Sequence, residues 1–162
     1  MTMNTQPPAT PNEIVSTRVF AVPRDRLFEA FADPSQLARW WGPKGFTNTF
    51  EEFHFHPGGT WRFTMHSPEG ADFHNVSEFA EVFRPRRIVF RHLRPVHDFL
   101  MTITFEDASG GTALTWRMTF ESADEVKRIG TFISQANEEN FDRLQAILSE
   151  TEHQNHQPDI PS

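Results

Sequence analysis

Apolar residues recur at helical spacing near the start and at the end of the chain, and at a spacing of two along the stretch between. The run "EIVSTRVFAV" (13–22) is rich in β-branched residues and predicts a first strand. Pro23 opens "PRDRLFEAFAD", where Leu27, Phe28 and Phe31 share one helical face; proline suits a first helical turn. Asp33-Pro34 ends that helix, and "SQLARWW" predicts a second short one, stopped by "GPKG". From 46 to 120 strands alternate with turns. The strand runs are "GFTNTFEEFHFH", "TWRFTMHS", "FHNVSEFAEVF", "RIVFRHL", "FLMTITFED" and "TALTWRMTF". Residues 124–149 predict a long closing helix. Short connections make the strands antiparallel. In the last two, Phe99, Met101, Ile103 and Phe105 share one side, as do Leu114, Trp116, Met118 and Phe120. The long helix is the only element large enough to cover that apolar face. The predicted class is α+β: a curved antiparallel seven-stranded sheet wrapped around a long C-terminal helix, with two short helices between strands 1 and 2.

The closing helix carries two misplaced residues. At about 100° per residue, Ile129, Ile133, Phe141, Leu144 and Leu148 form its buried stripe, and Asn137 and Asn140 lie in the middle of it. An amide buried without partners costs about 1–3 kcal/mol, so both must be hydrogen-bonded. The expectation is that Asn140 is a framework residue bonded to neighbouring backbone. Asn137 is expected to face a cavity, with water or a ligand as its partner.

Other polar residues fall beside apolar walls. His92 follows Ile88 and Phe90 at a spacing of two and points inward. It is either a general acid or base near neutrality or a core histidine with both nitrogens satisfied. Asn75 and Ser77 share a side with Phe73, Phe79 and Phe83. Glu81 falls there too, and is expected to pair with Arg86 or Arg87 at the strand end. His54 and His56 alternate with Phe53 and Phe55. A three-residue "PGG" turn would pair Phe55 with Trp61 and Phe53 with Phe63. That register turns both histidines outward, beside Arg62, Thr64 and His66, and gives Gly59 a left-handed bulge position. No phosphate loop or nucleophile elbow occurs.

Composition narrows the picture. There are 17 Phe and 4 Trp but no Tyr, so whatever the fold encloses is apolar. A formal net charge of −7 argues against a nucleic-acid partner. The absence of cysteine excludes disulfides and thiol chemistry and fits a reducing cytoplasm. No apolar run reaches the roughly 18 residues of a membrane span. The lead-in, 1–13, has no signal-peptide pattern and reads as disordered, as does the tail, 151–162, with His153 and His156 solvated. Residues 14–150 form the single domain. No metal and no cofactor are expected.

"ARWWGP", "HPGGTWRFTM", "PRRIVFRH", "HDFLMTITF", "LTWRM" and "ANEENFDRL" resemble bacterial single-domain proteins of the activator-of-heat-shock-ATPase-like family. That family belongs to the START/birch-pollen-allergen superfamily of helix-grip folds. The resemblance implies an internal cavity for apolar ligands and covers residues 14–149. One departure is that His54 and His56 stand where the family more often shows Asp and Arg.

The expected function is the binding of a small apolar or aromatic molecule, lipid-like or polyketide-like, between sheet and helix. The expected walls are Trp40 and Trp41 after the short helices and Phe53, Phe55, Trp61, Phe63 and Met65 from the first hairpin. Further along come Asn75, Phe79, Phe90, His92, Phe99 and Met101, then Trp116 and Met118. Asn137 closes the site from the helix. An enzyme using His92, Asn75 and Asn137 around a carbonyl is the second reading. A co-chaperone acting through its surface, with a link to stress response, is the third. A homodimer and a chaperone contact stay open as partner readings.

Overall fold

The computed structural model describes residues 6–156, with side chains described to Glu150. Strand β1 (Glu13–Phe20) is followed by helices α1 (Arg24–Ala32) and α2 (Pro34–Trp40). Six strands come next: β2 (Thr47–Phe53), β3 (Thr60–His66), β4 (Asp72–Phe83), β5 (Arg87–Arg94), β6 (Phe99–Ala108) and β7 (Gly111–Phe120). Helix α3 (Ala123–His156) closes the chain, running beyond its expected end at 149. All seven strands form one sheet, in the order β1-β7-β6-β5-β4-β3-β2, and every pairing is antiparallel.

The local causes are those of the sequence. Asp33 ends α1, and its carboxylate accepts from the Ser35 amide at 2.9 Å, capping α2 ahead of Pro34 in the first turn. In β6 and β7, Met101 lies opposite Met118, Ile103 opposite Trp116 and Phe105 opposite Leu114, all buried. The expected inner face is therefore one continuous apolar surface. Phe141, Leu144 and Leu148 of α3 are buried on it, together with both asparagines. Part of the lead-in runs beside the strands: the Asn12 side chain donates to the Phe120 carbonyl at 3.0 Å. Residues 1–5 and 157–162, and the side chains of His153 and His156, lie outside the described residues.

The first hairpin departs from its expected register. Phe53, not Phe55, pairs with Trp61, and Phe50, not Phe53, pairs with Phe63, across a bulge at Glu51. The connection spans 54–59 because it is stitched to β4. The Gly58 amide donates to the Phe79 carbonyl at 2.7 Å, and the Phe79 amide donates to the Gly59 carbonyl at 2.9 Å. Those bonds stop "PGG" from acting as a tight turn. The left-handed residue is Gly58, at φ 84°, not Gly59. Gly59 is needed for closeness: a Cβ there would sit 1.9 Å from the His54 carbonyl oxygen. The slip from Phe55 to Phe53 is two residues, which preserves facing. His54 and His56 are accordingly exposed, as expected. Thr64 shares that outer face, as expected, but is covered there by neighbouring side chains, with His74 Nδ1 at 3.0 Å. In β4 an irregularity between Phe79 and Glu81 turns Glu81 outward, where the Arg87 guanidinium donates to it at 3.1 Å. The pairing expected for Glu81 is present, and Phe73 and Phe83 are exposed rather than walling the interior.

Because both loop histidines face solvent, replacing His54 and His56 together by Ala is expected to change unfolding free energy by no more than about 0.5 kcal/mol. Urea denaturation of the double variant measures it, and a loss of several kcal/mol would mean that the loop depends on them.

Candidate functional site

The segment after α2 sets one end of the interior. Trp41, Gly42 and Pro43 connect α2 to β2, and α3 holds their backbone. Asn140 accepts from the Gly42 amide at 3.2 Å and donates to the Trp40 carbonyl at 2.7 Å. Arg143 donates to five carbonyl oxygens at 2.9–3.2 Å, those of Arg39, Trp41, Gly42, Pro43 and Phe46. Burial lowers the pKa of this guanidinium, which makes no ion pair among the described residues. Gly42 fits because it adopts φ 103° and because a Cβ would lie 2.7 Å from Met65 Cε. Asn140 is thus the framework residue that the sequence indicated. Arg143 was not foreseen; on a helix surface a lone arginine reads as a solvated cation.

Beneath this segment lies a cavity of about 210 Å³ between the sheet and α3. Trp41, Gly42 and Pro43 bound it at one end, and Trp61, Phe63 and Met65 of β3 form one wall. Asn75 and Ser77 come from β4, Phe90 and His92 from β5, Phe99 and Met101 from β6, and Trp116 and Met118 from β7. Ile133, Asn137 and Asn140 complete it from α3. No Asp, Glu, Lys or Arg is in the wall.

Four of the expected wall residues, Trp40, Phe53, Phe55 and Phe79, lie elsewhere. Trp40 is fully buried, and its indole donates to the Ala30 carbonyl at 3.0 Å, locking α2 to α1. Phe53 and Phe79, with Phe55, belong to a neighbouring aromatic cluster whose residual space is only about 10 Å³. There Phe53 and Phe55 stack with centroids 5.4 Å apart, and Phe79 meets Phe55 edge-on at 5.2 Å. Aromatic packing has filled that half of the interior.

The polar wall residues are specifically connected. Asn137 Nδ2 lies 3.1 Å from Ser16 Oγ and 3.5 Å from Met118 Sδ, so the expectation of water or ligand alone as its partner is corrected. Its Oδ1 accepts no hydrogen bond among the described residues. Asn75 Nδ2 donates to the Phe73 carbonyl at 2.9 Å. His92 Nε2 lies 3.1 Å from the Pro95 carbonyl, which assigns the proton to Nε2, and Nδ1 faces Ser77 Oγ at 3.5 Å. Burial holds the His92 imidazole below its ordinary value of 6.5, outweighing the raising effect of the Pro95 bond and the nearby Asp98 charge. The ring is neutral at pH 7, and its better-placed nitrogen is already engaged. Among the described residues no three His, Cys, Asp or Glu side chains gather as a metal site.

Residues 21–149 match the family described as Activator of Hsp90 ATPase homolog 1-like protein. The chain belongs to that family. The resemblance carried by the tryptophan, glycine and helix motifs therefore holds. Solved structures repeat the fold. A crystal structure of a protein from Nitrosomonas europaea has a TM-score of 0.80 at 21% identity, covering 90% of this chain and 99% of its own. A solution structure of a protein from Arthrobacter aurescens has a TM-score of 0.79 at 26% identity, with 86% and 87% covered. A crystal structure of a protein from Mycobacterium smegmatis has a TM-score of 0.77 at 25% identity, with 86% and 92% covered. No curated protein matches the sequence. No helix among the described residues is long and apolar enough to cross a membrane.

Two sets of variants test this frame. Asn140→Leu strands a backbone amide and a carbonyl and is expected to cost about 1–3 kcal/mol. Arg143→Lys replaces a planar fork by a point charge that cannot span five carbonyls, and should cost a similar amount. Asn137→Leu strands only the Ser16 hydroxyl, which can rotate, so its loss in urea denaturation should be the smallest of the three. A separate test concerns pH. The unfolded His92 imidazole takes up its proton near pH 6.5, the folded one only at lower pH. Stability therefore falls as pH drops below about 6.5 and levels off below the folded value. His92→Gln, which can still donate to Pro95, should flatten that segment of the stability curve; an unchanged slope would remove His92 as its source.

Proposed function

We propose that the protein binds one small, largely apolar molecule in the cavity between the sheet and α3. The observation that carries this reading is the contrast between the two halves of one aromatic interior. The half around Phe53, Phe55 and Phe79 is packed to about 10 Å³, whereas the half under Gly42 and Pro43 keeps about 210 Å³. A chain able to close one half with phenylalanines retains Asn75, Ser77, His92 and Asn137 around the other. Few polar groups placed in an apolar wall are the usual make-up of a small-molecule site.

The volume bounds the ligand. Sites for drug-sized molecules run to roughly 300–1,000 Å³, so this one suits a one-ring or two-ring aromatic or a short-chain compound, not a long lipid. Met65, Met101 and Met118 give part of the wall adaptable side chains. Trp41, Met65, Phe99 and Ile133 are only partly buried, which supports access between α3 and the strands. The reading makes no demand on a cofactor. Acid–base catalysis by His92 is disfavoured by its engaged Nε2 and its lowered pKa.

An environment-sensitive apolar dye should bind the folded protein at about one site per chain and quench the emission of Trp41, Trp61 and Trp116, which line the cavity. Ile133→Trp, which fills the cavity from α3, should abolish binding while the fold persists by circular dichroism. Dye binding that survives this variant, or that appears only on unfolding, would refute the site.

A further inference from the structure

The polar atoms of the cavity differ in what they still offer, and we infer that its occupant is an uncharged aromatic hydroxyl compound, held by donating its O–H to the wall, rather than a carboxylate or an ether. This rests on the reading of the cavity as a binding site.

The hydrogen bonds within the wall fix which atoms are spent: bonds to backbone do so for Asn75, His92 and Asn140, and bonds to side chains for Asn137. Asn75 Nδ2 faces the Phe73 carbonyl, so the amide cannot be reversed without setting oxygen against oxygen. Its Oδ1 then has no partner among the described residues. His92 is fixed in the same way: Nε2 carries the hydrogen toward Pro95, and Nδ1 is left as an acceptor with one long contact, to Ser77. Asn137 directs Nδ2 to Ser16 Oγ and Met118 Sδ, and its Oδ1 is unpaired. Asn140 is consumed at both ends by backbone. The indole N–H groups of Trp61 and Trp116 have no hydrogen-bond partner and almost no accessible surface of their own.

What remains is a surplus of acceptors, Asn75 Oδ1 and Asn137 Oδ1, while His92 Nδ1 is met by the Ser77 hydroxyl. The reachable donor is the second Asn75 N–H. Unpaired carbonyl oxygens in an apolar wall gain most from a ligand that brings its own hydrogen. A carboxylate would shed its hydration against a wall with no cation and meet lone pairs, which is unfavourable twice over. An ether matches the wall in shape but supplies no hydrogen. Trp41, Trp61, Phe90 and Trp116 supply ring faces and edges for an aromatic body.

The test is an isothermal titration series at pH 7.5 with 4-ethylphenol, its isomer 4-methylanisole, and 4-methylbenzoate. The phenol is expected to bind roughly threefold to tenfold more tightly than the ether, the exchange value of one neutral hydrogen bond. The benzoate should bind more weakly than both. Asn75→Leu and Asn137→Leu should each shrink the ratio of phenol to ether; where a variant fails to fold, the wild-type series decides alone. Equal affinity for phenol and ether overturns the inference, as does tightest binding by benzoate or no binding by any of the three. The dye titration separates the failures. Dye binding without this discrimination refutes only the choice of ligand class, whereas no dye binding removes the site itself.

Discussion

The structure depends on the grip of α3 on the backbone between α2 and β2. Seven hydrogen bonds from Asn140 and Arg143 converge on the segment from Arg39 to Phe46. Gly42 is buried within it, and without these bonds its amide and carbonyl would have no partners. Past the end of α2 the backbone leaves regular structure: Gly42 is left-handed, and Pro43 has no amide hydrogen. An arginine suits the task because its donors fan out in one plane and its charge strengthens each bond. The same residues fix the axial position of α3 on the sheet. They also place Trp41 over Trp61 and Trp116, at centroid distances of 5.1 and 5.2 Å, so a helix contact becomes a cavity boundary.

Two departures from regular strand pairing divide the interior into its packed and open halves. The bulge at Glu51 turns Phe50 and Phe53 to the same face, where both meet the Trp61 ring at 5.7 and 5.9 Å. The irregularity between Phe79 and Glu81 keeps Phe79 inside while releasing Glu81 to Arg87 at the surface. Bulges bend strands and re-aim side chains in this way. Phe53, Phe55 and Phe79 pack against one another on one side of the division. On the other, β4 presents Asn75 and Ser77 where a packed core would need hydrocarbon.

The parts legible in the sequence were those governed by period. Alternation in β6 and β7, the Asp33-Pro34 break and the buried stripe of α3 needed no tertiary information, and they were enough to fix the class of fold. Family resemblance added the cavity. Hidden were features decided by what lies across space. Trp40 and Trp41 are neighbours of one residue type with opposite fates: Trp40 caps a carbonyl of α1 and Trp41 lines the cavity. Nothing local separates them. Arg143 was hidden because its five partners belong to a connection some hundred residues earlier. The register of the first hairpin was hidden because β4 holds Gly58 and Gly59, and a turn read from its own residues does not include that strand. Facing survived the error only because the slip was even.

The two asparagines in the α3 stripe can now be weighed against each other. Asn140 has both ends committed and gives the helix a fixed seat, which hydrocarbon could not supply. Asn137 commits one end and leaves an oxygen unpaired, and in a sealed core that would be a net loss. The neighbouring volume changes the balance. An empty apolar space of about 210 Å³ forfeits the contacts that packing would supply. A wall that can hydrogen-bond its contents reduces that cost, because water or a ligand can then fill the space on favourable terms. Asn137 thus ties α3 to β1 through Ser16 with one end and leaves the other unpaired at the cavity it borders. In a stripe otherwise made of packing residues, that oxygen is the polar group that an occupant of the proposed site would meet.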